Sequence, residues 1–389
     1  SLPHANVASS GWQRLAVRAL LVLRPDATTR FGGDTVLARE TLAALKDIGV
    51  EADLVETDRP EARGYDVAHV FNVGQPALCE RQMDACDAAG VPVALSPVWL
   101  DLREYFGRAQ AYERILLNAR TSPEAAAKLR LLASKRDDEL LDRRRRADMD
   151  RHHALQARLL RRARVLLPNS AIEARDCLVK LGVREIPMII ARIGANTEPA
   201  QSWQDQRAGL LAIGRVETRK NQTGLLFGLR DDDIPIDIIG ASYSADLVKV
   251  CQKWCPRAQF HGRLPRQQLL EMLGRAEVHA LVSWCETAGI ATMEAAMAGA
   301  KIVVADRGAE VEYFGDDAEY ADPADPESIR AAVSRAFART PRFSGDALDR
   351  RMRALTWRES AQETSRAYGI ALGEISIPAR ERSSVTQSL

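Results

Sequence analysis

The chain's 389 residues suffice for two or three domains, each with its own core. Apolar residues make up 46% and charged ones 28%, a soluble globular balance, and 54 basic against 53 acidic residues leave a net charge of only +1, so bulk charge gives no reason to expect a nucleic-acid partner. No apolar run approaches the ~20 residues of a membrane span, and the opening SLPHANVASSGWQR lacks the apolar core of a signal peptide.

Residues 15–23 predict a first parallel strand, leading through RPDATTRFGG to a helix over 35–48. Gly32 and Gly33 ahead of that helix either let the backbone approach a ligand or make a plain turn, and with Asp34 they are candidates for one side of a site. Strands follow over 50–55 and 66–73. His69 lies inside the second of these as a packed or edge residue. Asn72 lies at its end, where ligands gather in open α/β sheets. A helix over 76–89 and a strand over 91–96 complete a β-α-β alternation, the pattern of a doubly wound sheet.

The next stretch, SPVWLDLREY, holds Trp99 and Asp101. They make either a stacking wall and an acceptor contact, or a core indole and a turn cap. Residues 109–164 are helical in composition and dense in charge, with four arginines at 143–146. Such a run makes a solvated helix laced with i,i+4 pairs, or a basic face towards anionic lipid or a phosphorylated acceptor. It lacks the interleaved aromatic residues of a nucleic-acid module. A strand over 165–168, a helix over 171–181 and a segment over 188–193 lead to a polar stretch at 198–207, where the domain boundary is expected.

The second half opens with a strand over 209–213 and the turn GRVETRKN at 214–221, ahead of a helix over 222–229. A strand end, Gly214 and the cations Arg215 and Lys220 form an anion clamp. Three aspartates at 231–233 precede the strand 234–239 at its N-terminal end, the wrong end for a metal site, and are expected to be a solvated turn. The segment QFHGRL ends a strand at Gly262. After an apolar strand at 278–282 comes SWCETAGIATMEAAMAG, residues 283–299. Its glycine-containing turn enters a helix at 290, so the free N–H groups around Thr287, Ala288, Gly289 and Ile290 can meet an anion. Glu286 and Glu294 frame that helix start, although a glutamate there also suits the helix dipole. The six cysteines, at 79, 86, 177, 251, 255 and 285, include one C-x3-C with no second pair nearby; reduced buried thiols in a cytoplasmic protein are expected.

Residues 260–314 resemble the retaining GT-B glycosyltransferases of family four. That family carries Glu-x7-Glu in a stretch like E-G-F-G-L-x-x-x-E-A-M-A-x-G; this chain has E-T-A-G-I-A-T-M-E-A-A-M-A-G, with Thr287 and Ala288 in place of the usual glycine and aromatic residue. The 214–221 turn resembles the family's diphosphate loop, and Trp357 with the helix through Tyr368 resembles its C-terminal crossing helix. One departure stands out: the family's histidine in a V-H-D-like turn is absent, and Val98-Trp99-Leu100-Asp101 takes its place.

The resemblance implies an α/β GT-B fold, two Rossmann-like doubly wound domains facing each other across a cleft. Residues 1–198 would form the acceptor domain with its charged helical segment 109–164. Residues 199–355 would form the donor domain and 356–377 a helix returning to the first, with a disordered tail at 378–389. It implies retaining, metal-independent transfer, without a cofactor, from a nucleoside diphosphate sugar to a saccharide, lipid-linked or small-molecule acceptor, as in polysaccharide biosynthesis. Arg215 and Lys220 would stabilise the leaving diphosphate with the N–H groups of Gly289 and Ile290. Glu286 would hold the sugar hydroxyls and Glu294 the ribose. Gly214, Gly262, Thr287 and Ala288 would complete the donor site, and Gly32, Gly33, Asp34, Asn72, Trp99 and Asp101 the acceptor or interdomain side. The competing expectations are a sugar-nucleotide epimerase or phosphorylase of the same fold, or a non-catalytic protein bound to a partner or an anionic membrane through its arginine-rich helix.

Overall fold

The computed structural model describes residues 17–135, 137–184, 186–195, 207–242 and 244–375. The first residues of the predicted opening strand, most of the 198–207 boundary stretch and the 378–389 tail lie outside the described residues.

Among the described residues eleven strands form two sheets, and every strand pair in both is parallel. The first has the order β2-β1-β3-β4-β5, built from β1 (Arg18–Leu23), β2 (Glu51–Glu56), β3 (Val67–Phe71), β4 (Val93–Ser96) and β5 (Val165–Leu166). The second has the order β11-β10-β9-β6-β7-β8. Its strands are β6 (Leu210–Ile213), β7 (Ile236–Ile239), β8 (Gln259–Gly262), β9 (Val278–Leu281), β10 (Lys301–Ala305) and β11 (Ala318–Ala321). Central strands such as β3, β9 and β10 are buried at every position. That is why they are apolar runs, interrupted by His69, His279 and Lys301, rather than alternating ones: helices cover both faces. The predicted 188–193 segment makes only an isolated bridge, Met188 to Leu166.

Each sheet reverses its strand order once, between β1 and β3 in the first and between β6 and β9 in the second. A crevice opens at the C-terminal ends of the strands at such a switch point. The two crevices face each other, and that places the site.

Several elements hold the domains together. The C-terminal helix Trp357–Ala371 starts from a Thr356–Glu359 capping box and packs on the helix Gly33–Asp47 of the first domain. There His69 lies between Tyr368 and Ser96, with Nδ1 2.9 Å from the Tyr368 hydroxyl and Nε2 2.9 Å from Ser96 Oγ. Tyr313 of the second domain donates its hydroxyl to the Asn169 carbonyl (2.7 Å) and accepts the Ile193 N–H (3.0 Å). The segment between β4 and β5 is helical, as its composition predicts, but it is divided between the two domains. Tyr112 and Leu116 of the helix Gln110–Asn118 pack with Phe227, Trp254 and Trp284 of the second domain. The helix Arg143–Arg162 instead lies along Pro76–Ala88, where Arg158 pairs with Glu80 and Arg162 with Asp84 and Asp87. Within the helix the pair of Arg151 with Asp148 is spaced i,i+3. The expected i,i+4 lacing is present as Lys128–Glu124 at 2.7 Å, while the arginine-rich helix uses interhelix pairs and i,i+3 contacts.

Burial pushes the pKa of His69 and of His279 down to about 3. Both are neutral when folded, whereas an unfolded histidine titrates near 6.5. The unfolded chain therefore takes up protons first as the pH falls. Their contribution is complete above about pH 6.5 and is lost towards pH 3, at up to about 1.4 kcal/mol per pH unit for each histidine. The buried carboxyls Glu173 and Glu310, whose pKa values are raised, act in the opposite sense, so the test is the difference between two proteins. In urea unfolding, the midpoint of His279→Gln should gain on that of the parent as the pH falls from 7.5 to 5; a difference independent of pH would contradict neutral burial of His279.

Candidate functional site

A cleft of about 400 Å³ lies between the two switch points. On the first-domain side, the loop after β1 and the loop after β3 supply Arg24, Gly32, Gly33, Asp34 and Asn72. Asp34 accepts Arg24 Nε at 3.0 Å and Asn72 Nδ2 at 3.1 Å. Burial raises its pKa, but the Arg24 guanidinium, the Asn72 amide and the Thr35 N–H outweigh it and hold the carboxyl below the usual range. At Gly32 a side chain would meet Asp34 Oδ1 at 2.9 Å, whereas at Gly33 nothing lies within 4 Å. The first glycine is thus dictated by space and the second is not.

On the second-domain side, strands β6, β7 and β8 end in Gly214, Gly240 and Gly262, each at positive φ. A Cβ at Gly240 would overlap the Gly214 carbonyl oxygen, so the first two loops touch backbone to backbone. The Gly262 carbonyl accepts the Gly240 N–H at 2.8 Å. The loop after β9 then enters the helix Ile290–Met297, whose N-cap Gly289 has no side-chain cap. Its first N–H groups therefore lack a side-chain partner at the N-cap position. Glu286, Thr287, Ala288 and Ile290 line the cleft there, and Gly289 has no room for a side chain, with Thr292 Oγ1 2.7 Å from where a Cβ would stand.

Lys220 forms an ion pair with Glu286, which also lies 3.9 Å from Arg219 Nη1. Burial by itself would raise the Glu286 pKa; the charges of Lys220 and Arg219 override it and keep the carboxylate ionised. Arg215 reaches Glu217 at 3.3 Å and Arg219 reaches the same oxygen at 2.9 Å. The Trp284 N–H donates to the Arg219 carbonyl at 2.9 Å, tying the two loops by their backbones. Behind them Glu310 is fully buried, and its Oε2 has no partner among the described residues. Burial and the neighbouring Glu286 charge raise its pKa well above the carboxylate range, so it is a neutral acid. Among the described residues no three His, Cys, Asp or Glu side chains gather as a metal site requires.

The remaining candidates stand apart from this group. Glu294 is paired with Arg266 Nη1 at 2.8 Å, farther along the helix. Trp99 is buried, with its N–H 3.2 Å from Gln156 Oε1, so it is a core indole rather than a stacking wall in the cleft. Asp101 accepts the Arg103 N–H at 3.0 Å and pairs with Lys180 at 3.1 Å. Both border a smaller cavity of about 120 Å³ beside Glu286, bridged by Arg307 from the second domain to Glu104 from the first at 2.9 and 3.1 Å. Glu173 was not among the sequence candidates. It is buried, accepts the backbone N–H of Trp99 (2.8 Å) and Asn169 (2.7 Å), and burial pushes its pKa up to about 7. Arg219 sits inside the recognised loop, but nothing in its spacing distinguishes it from Arg215.

Residues 196–345 match the family model of glycosyl transferases group 1. No curated protein sequence matches the chain. Among solved structures it is similar to the sucrose-phosphate synthase of Thermosynechococcus elongatus, at 12% identity and a TM-score of 0.58, covering 96% of this chain and 100% of that one. It is also similar to the catalytic domain of starch synthase IV from Arabidopsis thaliana bound to ADP and acarbose, at 10% identity and a TM-score of 0.60, over 92% and 100%. A third likeness is Anabaena HepE in complex with UDP and glucose, at 12% and 0.54, over 96% and 100%. At these identities the likeness establishes the fold: two Rossmann-like domains in the GT-B arrangement.

Gly240→Ala should disturb this cradle directly. The added methyl must push β7 away from Gly214, at about 1–3 kcal/mol for overpacking. Thermal unfolding of the variant should show a lower midpoint; an unchanged one would mean the two loops are not in contact.

Proposed function

We propose that the chain is a retaining glycosyltransferase that moves a sugar from a nucleoside diphosphate sugar to an acceptor bound against the first domain. One observation carries this: at the β6/β9 switch point, Arg215, Arg219, Glu286 and the start of the Ile290–Met297 helix line the cleft that Asp34 and Asn72 line from the other side, with Lys220 paired to Glu286. The group 1 match and the ADP and UDP held by the similar structures support a nucleotide donor.

In the reaction, the bond between the anomeric carbon and the diphosphate oxygen breaks, and an acceptor oxygen bonds to that carbon from the same face. The acceptor's proton passes to the departing phosphate, so no side-chain nucleophile is needed. Negative charge grows on the diphosphate. Lys220, Arg215 and the Gly289 and Ile290 N–H groups would face it, with Arg219 adding a further cation. Held in place beforehand and shielded from water, they stabilise that charge without reorganising. Glu286 would exchange part of its contact with Lys220 for the sugar hydroxyls. Glu294 would share its carboxylate between Arg266 and the ribose. Fixed cations stand where other transferases use a metal, so we further propose that transfer is metal-independent and needs no cofactor.

Lys220→Ala and Glu294→Ala should fail differently. Lys220 meets charge that grows during the reaction, so its loss should lower kcat by at least ~10²-fold. Glu294 meets hydroxyls that do not change, so its loss should weaken donor binding by about 1–3 kcal/mol and raise KM more than it lowers kcat. Calorimetry with nucleoside diphosphates and steady-state kinetics separate the two. Full turnover by Lys220→Ala would remove the diphosphate clamp, and unweakened binding by Glu294→Ala would remove the ribose contact. Transfer should also continue in EDTA, and strict dependence on added Mg²⁺ or Mn²⁺ would refute metal independence.

A further inference from the structure

A second groove, of about 390 Å³, runs from the cleft along the first domain. Gly74, Leu100 and Leu102 line both, so the two spaces adjoin at these residues. Its volume lies within the range of small-molecule sites. The walls are mainly Leu100, Leu102, Phe106 and Met149.

Phe106 is set by a π turn, Tyr105–Ala109, that leads into the helix Gln110–Asn118. Such turns insert a residue and re-aim side chains, and they recur at functional sites. His152 also lines the groove, and its buried Nε2 has no partner among the described residues. Burial lowers its pKa, so it is a neutral ring able to hydrogen-bond one oxygen of a ligand. Arg145 closes the rim, held by Gln110 Oε1 at 3.0 Å with its side chain still exposed, and Arg143 and Arg144 are exposed beside it in sequence.

We propose that this groove binds the hydrocarbon chain of an amphipathic acceptor, whose hydroxyl group reaches the cleft through the Leu100–Leu102 junction. This rests on the glycosyltransferase proposal for the cleft. An apolar trough opening into a polar reaction site leaves apolar wall in water unless a chain covers it. With the hydroxyl-bearing head at the cleft, an oxygen joining head to chain would satisfy His152, and the outer rim, where Arg145 pairs with Asp142 while Asp148 also lines the groove, lies at the far end of the chain.

Calorimetric titrations should compare glucose with butyl, hexyl and octyl β-glucoside, all below their micellar concentrations. Affinity should rise with chain length, by up to about fourfold per methylene. Phe106→Gln should flatten that rise while binding nucleoside diphosphate like the parent. Three results overturn the proposal: affinity independent of chain length, phenyl glucoside binding as tightly as octyl with no gain from butyl to octyl, or octyl glucoside binding unchanged in Phe106→Gln. Nucleoside diphosphate binding is titrated separately. Its absence strikes the donor site, whereas a flat chain-length series beside intact nucleotide binding strikes the groove alone.

Discussion

A lysine and a glutamate are kept together where the second sheet reverses its strand order, and the rest of the cleft depends on that pair. Lys220 leaves β6 and Glu286 leaves β9, and their side chains are only 13% and 12% exposed. Charges so placed are costly alone, and removing one strands the other. The surrounding groups show why the pair is kept. Lys220, Arg219 and Arg215 are three cations, Glu286 and Glu217 are two anions, and burial with the Glu286 charge pushes Glu310 towards its neutral form. The group therefore keeps an excess positive charge in a poorly solvated place. An ionised Glu310 would cancel that excess, and burial and the Glu286 charge both push it the other way, towards the protonated form.

That arrangement needs two domains held face to face, and the ties lie on several sides of the cleft. Tyr313 joins Asn169 and Ile193, and Arg307 spans to Glu104. The guanidinium of Arg263, next to Gly262, lies 5.6 Å from the Phe31 ring of the first-domain loop. The largest tie is apolar: Tyr112 stacks edge-on against Trp284, only two residues from Glu286. The segment between β4 and β5 thus braces the loop that carries the acid. Any hinge motion of the domains must slide or break this cluster, whereas the polar ties can be exchanged for water at little cost.

Much of this was legible in the chain. Buried parallel strands are apolar runs, helix caps and glycine turns punctuate them, and the Glu-x7-Glu spacing set beside a glycine-and-cation loop marks the switch point. What escaped has a common physical reason: it depends on partners far apart in sequence. Arg158 and Arg162 look like part of a basic face until Glu80, Asp84 and Asp87 are seen opposite them. Tyr112 and Leu116 give no hint that their cover is Trp254 and Trp284. Trp99 offers the same indole to a ligand or to a core, and only Gln156, 57 positions away, decides it. Glu173 occupies an ordinary first-turn position, and its grip on the Trp99 N–H is a contact across 74 residues.

That grip explains the backbone on the first-domain side of the cleft. Asn72 and Val98 both have positive φ, 76° and 45°, at the ends of strands facing the cleft. Asparagine tolerates this region, but a β-branched residue does not adopt it without compensation. The compensation is the buried Glu173, which fixes the next residue's N–H, together with the Trp99–Gln156 bond below it. Held this way, the extended stretch after β4 turns Val98, Leu100 and Leu102 to the cleft, the last two continuing into the groove. The resemblance places a histidine in this turn. Here the same position contributes shape and an apolar strip instead of a titrating ring. The strain at Val98 and the apolar strip of Leu100 and Leu102 are then two ends of one device, a backbone bent out of its preferred region to lay apolar side chains between the cleft and the neighbouring groove.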